Sequence, residues 1–285
     1  MQVIIRKAPA MPLRRHLIAA LAAAGACLAL PSPAPAAEPG AEAMIGHRAA
    51  YRLTLDKVRD NSDIARAEGV MLYEVVDACD GWATRQRFQL RLTDRDGQEV
   101  ETTSDYSTFE TKDGKRLRFS LTQTSQGAVS QRVGGEAEVT PEGGRVTYTE
   151  PEAKEEALPK GTLLPMLHTI RSLAAARGGT RMLLVPLFDG TSPDGAQDTT
   201  TVISAWSPPQ PNSRFPALAR LASARMRVAF FDRDAGGSGG GASAPDYEVG
   251  LRYFENGVAD ELKMDFGEFS VDGALQELLV LPNPC

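Results

Sequence analysis

Stretch after stretch of this chain repeats with a period of two. Tyr51, Leu53 and Leu55 alternate with Arg52, Thr54 and Asp56. Trp82, Phe88, Leu90 and Leu92 share one phase, with Arg85, Arg87, Gln89 and Arg91 on the other. Val258, Leu262, Met264 and Phe266 alternate with Ala259, Glu261, Lys263 and Asp265. A strand buried on one face and wet on the other has this period, and a helix does not. Similar runs fall near 65–76, 99–110, 116–124, 129–139, 145–149, 180–188, 199–206, 224–231, 247–254 and 274–281, about thirteen strands in all. Turn signals at DRDG (94–97), KDG (112–114), EGG (142–144) and ENG (255–257) separate several of them. Short links between successive strands predict an antiparallel meander in place of βαβ units.

One segment changes period. Leu163, Met166, Leu167, Ile170, Leu173 and Ala174 form a stripe at helical spacing, so the pattern predicts one amphipathic helix over about 163–177. Thr162 is the expected N-cap, Pro165 sits in the first turn, and Gly178-Gly179 supply the stop. A single such helix in a β protein lays its stripe on a sheet or plugs a barrel mouth. A shorter helical turn is expected near Pro216 to Ala222. The Gly/Ser-rich stretch 234–246 is expected to be a loop at a hairpin tip.

The N-terminus carries Arg6, Lys7, Arg14 and Arg15, then fourteen apolar residues from Leu17 to Leu30, then Ala34-Pro35-Ala36. This order is that of a secretory signal, cleaved after Ala36 or Ala37, and the run is shorter than the about 20 residues a membrane span needs. The alternative is lipoprotein processing at Cys27, which follows Ala24-Gly25-Ala26. The reading is therefore a signal peptide at 1–37 and one β domain at 38–285, exported to the periplasm. Removing four basic residues and no acidic one takes the formal net charge from −6 to −10, which disfavours nucleic acid as a partner. Export also leaves two cysteines, Cys79 and Cys285, and two thiols in an oxidising compartment read as one disulfide.

Sites of chemistry are scarce. Beyond the signal only His47 and His168 remain, with no H-E-x-x-H, no zinc-type cysteine spacing and no G-x-S-x-G elbow, so no catalytic residue, metal or cofactor is predicted. GGSGGG in the 234–246 stretch lacks the helix and Lys-Ser/Thr pair of a phosphate loop. Asp260, Glu261, Asp265 and Glu268 cluster near one strand, where the solvated-edge reading is preferred to a carboxylate-based hydrolase, and Asp260 falls on the apolar phase of that strand, an odd place for a charge. His168 lies off the helical stripe, and His47 opens a strand with no partner in sequence. Arg85, Arg87 and Arg91 form a basic row, read either as a solvated face balanced by acids or as a docking stripe for an acidic partner or anionic lipid.

Three segments together carry a resemblance: 47–88, 158–190 and 247–282 with the closing cysteine. They resemble the EipB family of α-proteobacterial cell-envelope-integrity proteins, long catalogued as a domain of unknown function. The helix with its Gly161-Thr162, Pro165 and His168, and the ENG-then-DFGEF ending, are its more specific marks. The resemblance implies a periplasmic protein with an open, spiral, barrel-like sheet of about fourteen strands around a central helix. It also implies a Cys79–Cys285 disulfide and a role in envelope integrity without a known enzymatic activity. The 234–246 loop looks longer than is usual there. The expected activity is binding of an envelope protein or other envelope component. The alternative is a carrier of a lipid or other apolar ligand, with the helix as lid. Candidate binding residues are Arg85, Arg87 and Arg91 on the strand, and Leu163, Leu167, His168 and Ile170 on the helix.

Overall fold

The computed structural model describes residues 40–60, 62–204, 206–210, 214–233 and 244–285. The expected signal at 1–37, the Cys27 alternative and residues 234–243 of the Gly-rich loop lie outside them. Eight strands come first: β1 (His47–Val58), β2 (Ile64–Asp77), β3 (Gly81–Asp94), β4 (Glu99–Thr111), β5 (Arg116–Ser125), β6 (Ala128–Thr140), β7 (Gly143–Glu150) and β8 (Lys154–Leu158). The helix α1 (Pro165–Arg177) follows. Six more strands close the chain: β9 (Met182–Leu187), β10 (Gln197–Ile203), β11 (Ser223–Phe231), β12 (Tyr247–Phe254), β13 (Ala259–Asp265) and β14 (Phe269–Val280). One-turn 3-10 helices occupy Ala41–Ala43 and Pro216–Leu218, the second being all that forms of the turn expected over 216–222.

All fourteen strands belong to one antiparallel sheet, ordered β8-β7-β6-β5-β4-β3-β2-β1-β14-β13-β12-β11-β10-β9. Two meanders are thus joined where β1 pairs with β14, and the sheet stays open, with β8 and β9 as its edges. The fourteenth strand is β8, KEEAL, which shows no apolar alternation because it is a short, charged edge. Charge on an edge discourages pairing with another chain. The opposite edge, β9, carries Pro186, whose missing N–H is tolerated there. Leu163 covers part of that edge: its N–H donates to the Pro186 carbonyl (2.9 Å) and its carbonyl accepts from the Phe188 N–H (3.0 Å).

The sheet curls so that its two ends share a core. Phe119 of β5 and Tyr148 of β7 meet Phe188, which follows β9, edge-on, with ring centroids 5.2–6.3 Å apart. Leu164 is packed into the same cluster. Met166, Ile170, Leu173 and Ala176 of α1 pack against Val75, Trp82, Ile203, Ala224 and Met226. The buried arc of α1 is wider than the predicted stripe, because the helix lies inside the curl. His168 and Ser172, off the stripe, are buried, whereas Ala174 is exposed.

The helix ends as its glycines predict. The Thr180 N–H reaches the Ala175 carbonyl (2.9 Å) and the Gly179 N–H the Ala176 carbonyl (3.1 Å), with Gly179 at φ 80°. This is a Schellman closure, and the left-handed residue carries no Cβ. The start differs from expectation. Leu164 is the N-cap residue and makes no side-chain cap, while the Thr162 hydroxyl donates instead to the Pro159 carbonyl (2.7 Å). The cap comes from 55 residues upstream. Glu110 of β4, fully buried, accepts the Met166 N–H at 2.7 Å and the Leu167 N–H at 2.8 Å. The two carboxyl oxygens there satisfy two orphan donors at the start of the helix.

The tail beyond β14 returns to the β2–β3 turn. The Leu281 N–H donates to the Gly46 carbonyl (2.9 Å), and Cys285 is disulfide-bonded to Cys79 with Cα atoms 5.5 Å apart. Asp77 secures the same turn, accepting the Cys79 N–H (2.9 Å) and pairing with Lys112 (2.8 Å).

Candidate functional site

A cavity of about 540 Å³ lies between the concave face of the sheet and one side of α1. Its walls are the side chains that the strand period turns inward. On β3 these are Thr84, Gln86 and Phe88, and on β4 Ser104, Tyr106 and Thr108. β12 and β13 supply the apolar part, with Val249, Leu251, Leu262 and Met264. Pro165, Met166, His168 and Thr169 form the helix wall.

Three of the tyrosine hydroxyls at this surface have partners. Tyr51 donates to the Ala259 carbonyl (2.7 Å) and Tyr106 to the Asp189 carbonyl. Tyr253 lies 3.4 Å from the Thr169 hydroxyl. Burial raises the pKa of all three and of Tyr73, so each stays a neutral phenol. The histidines are neutral as well. Burial lowers His168 to about 4, and its Nε2 is 3.1 Å from the Thr201 hydroxyl. Burial also lowers His47, against a smaller opposing effect of the Ile45 carbonyl bonded to its Nδ1 (3.0 Å). Among the described residues no lysine or arginine lines the cavity. The one acid that does, Asp189, accepts the N–H (2.9 Å) and the hydroxyl (2.7 Å) of Thr191. The cavity is therefore largely apolar and hydroxyl-bearing, with the Asp189 carboxyl as its one acidic group.

Other candidates lie elsewhere. Arg87 pairs with Asp105 (2.7 Å), and Arg91 with Glu101 (3.1 Å) and Glu99 (3.9 Å), across the strand pairs on the outer face. Arg85 faces Glu74 in the register. The basic row is thus balanced by acids, and no run of unopposed positive charge results. Leu163 precedes the helix and bridges to Leu187, Leu167 abuts the β4–β5 turn, and Ile170 is in the packed core. Of the four helix-segment candidates only His168 lines the cavity, beside Met166 of the predicted stripe.

Asp260 is explained by an irregularity: the register shifts between Gly250 and Arg252 on the partner strand, and Glu261 adopts φ 52°. The Asp260 carboxylate takes the N–H groups of Glu261 (2.7 Å) and Leu275 (3.1 Å). Asp260, Glu261 and Asp272 line a larger groove of about 920 Å³. There Glu261 pairs with Arg225 and Arg252, and Lys263 with Asp56 (2.7 Å) and Asp272 (3.0 Å). Among the described residues no group of three or more His, Cys, Asp or Glu is placed to hold a metal. Glu110 and the polar inner positions of β3 and β4 went unremarked in the sequence. The available signal was β4 itself, Glu-Val-Glu-Thr-Thr-Ser-Asp-Tyr-Ser-Thr-Phe-Glu-Thr, which is polar on both phases.

An open, curled antiparallel sheet wrapped on one helix, with a largely apolar cavity beside that helix, defines a β-barrel-like fold. The chain belongs to the EipB-like family, whose model matches residues 38–282. It is 29% identical over 240 residues to the cell envelope integrity protein EipB of Brucella abortus (strain 2308), covering 82% of this chain and 84% of that protein. It also resembles the crystal structure of a β-barrel-like protein of a domain of unknown function from Brucella abortus. That match has a TM-score of 0.76 and 27% identity, and covers 84% of this chain and 99% of the other.

Proposed function

We propose that this protein supports cell envelope integrity from the periplasm, without enzymatic activity, by holding an apolar or amphiphilic envelope component in the cavity beside α1. The relative of known name supports the envelope role. The cavity carries the rest: about 540 Å³ is within the usual range of small-molecule sites, and its wall is mostly apolar with scattered hydroxyls. Protein purified from the envelope fraction without detergent, extracted with organic solvent and analysed by mass spectrometry, should yield a stoichiometric amphiphile. An extract with no such molecule, together with no binding of added fatty alcohols or acids, contradicts the reading.

Docking of an envelope protein is the second reading, and the outer face favours it at one place. Leu72 (50% exposed) and Leu279 (55%) lie there beside Arg85, around a surface groove. Cross-linking from position 72 in living cells should then retrieve one envelope protein reproducibly. Loss of that product in a Leu72→Asp variant would support it, and no product at all would oppose it.

A further inference from the structure

The chain after β9 aims one carboxyl at the cavity beside α1. Leu187, Asp189 and Thr191 all line that cavity. Phe188, between the first two, packs edge-on against Phe119, with centroids 5.2 Å apart, and a Cβ on Gly190 would strike Phe119 as well. Alternate positions of an extended chain face opposite ways, so the Asp189 side chain leaves that core on the cavity side. Its Oδ1 takes both the N–H (2.9 Å) and the hydroxyl (2.7 Å) of Thr191. Among the described residues no other residue donates to Oδ2. Nor is Oδ2 one of the enclosed atoms without a partner, which are His47 Nε2, Trp82 Nε1 and Ser172 Oγ. One carboxyl oxygen is thus fixed, and the other keeps accessible surface without a partner from another residue.

Burial raises the pKa of this carboxyl above its usual value, against the Thr191 bonds that lower it. A carboxylate in such a place is short of solvation, which a neighbouring cation can replace. The wall supplies none: among the described residues no lysine or arginine lines the cavity, and burial keeps His47 and His168 neutral. The rest of the wall suits a cation in a second way, since it includes five tyrosines and three phenylalanines. Phe230, Tyr247 and Phe266 form a run with centroids 5.7 and 5.4 Å apart, and the Tyr106 hydroxyl donates to the Asp189 carbonyl. Aromatic faces attract ammonium groups, most strongly where water is excluded.

We infer that the cavity's ligand is a cationic amphiphile, an aliphatic chain bearing an ammonium head that sits against Asp189. The inference rests on the ligand-holding role proposed above and adds the sign and kind of the head group. Val249, Leu251, Leu262 and Met264 offer the chain an apolar wall. An anionic head would face Asp189 with no cation to offset its desolvation. An alcohol can donate to Oδ2 but leaves the charge there uncompensated.

The test is a matched series on the whole protein by calorimetry at neutral pH, below micellar concentrations: decylammonium, decanol and decanoate. Decylammonium should bind with unit stoichiometry and at least about tenfold more tightly than decanol, the worth of a charged partner for a buried carboxylate, and decanoate should bind least. Asp189→Asn keeps an oxygen for Thr191 and removes the charge, so it should bring decylammonium down towards decanol and leave decanol nearly unchanged. Decylammonium binding that the variant leaves intact is adsorption elsewhere on an acidic chain, and overturns the inference. Should the variant fail to fold, the wild-type series still decides. Equal affinity for the amine and the alcohol, or tighter binding of decanoate, overturns this inference and leaves the cavity as a ligand site. No binding by any of the three overturns both.

Discussion

At the scale of single residues, the structure turns on one buried carboxylate. Glu110 caps a helix that begins 55 positions later, and burial pushes its pKa up to about 8 against the two backbone N–H groups that hold it down. Asp113 adds a smaller upward push. A carboxyl whose folded pKa is raised keeps a proton that the unfolded chain has released. Its contribution to stability is full below the unfolded value, near 4.5, and is lost as pH rises towards 8. His47 and His168 act with the opposite sign. Their folded pKa values are lowered, so their contribution is present above the unfolded value of 6.5 and is lost as pH falls below it. Between pH 6.5 and 8 only the Glu110 effect operates among these groups. The unfolding free energy from denaturant titrations should therefore fall over that window, by no more than about 1.4 kcal/mol per pH unit, and Glu110→Gln should flatten the slope. An unchanged slope in the variant would remove Glu110 as its source.

At the scale of elements, the helix is held by what presses on its first turn. Gly114, in the β4–β5 turn, adopts φ 64°, and a Cβ there would sit 2.6 Å from Leu167 Cδ2. Gly97, in the β3–β4 turn, has a similar φ of 82° with nothing within 4 Å. Gly97→Ala should cost about 1 kcal/mol from the left-handed backbone alone, and Gly114→Ala about 2–3 kcal/mol because overpacking adds to it. Equal costs in urea unfolding would mean that Leu167 gives way freely. The period of two made thirteen strands legible, since each half-buried strand writes its own alternation. β8 escaped because an edge strand of Lys154, Glu155 and Glu156 has too little buried face to show one. The helix was legible from its stripe and glycines. Its cap was not, because Glu110 meets Met166 only through the fold and Thr162 looked the better local choice.

At the scale of the whole molecule, the open sheet is closed by covalency and by its helix in place of a final strand pair. The Cys79–Cys285 bond spans 206 residues and ties the tail to the β2–β3 turn. Chain entropy puts its worth at up to about 5 kcal/mol, so Cys79→Ser with Cys285→Ser should lower the unfolding midpoint markedly, and added reductant should then have no further effect on it. A double variant as stable as the parent would contradict a structural role for the bond. Two cysteines left after the signal were enough to suggest the pair, but the cavity could not be read the same way. Alternation marks which side chains point inward, and only their spacing in three dimensions decides whether they touch. Thr84, Ser104 and Thr108 all point inward and leave room between them. The most direct test is to fill that room. Ser104→Leu adds volume at a wall position and leaves Glu110, the residues of α1 and the disulfide unsubstituted. Organic extracts of the wild type and of this variant, both from the envelope fraction and matched for folding, should be compared by mass spectrometry. The account predicts an amphiphile that accompanies the wild type and is depleted in the variant. The same molecule in equal amount in both, or in neither, would contradict it.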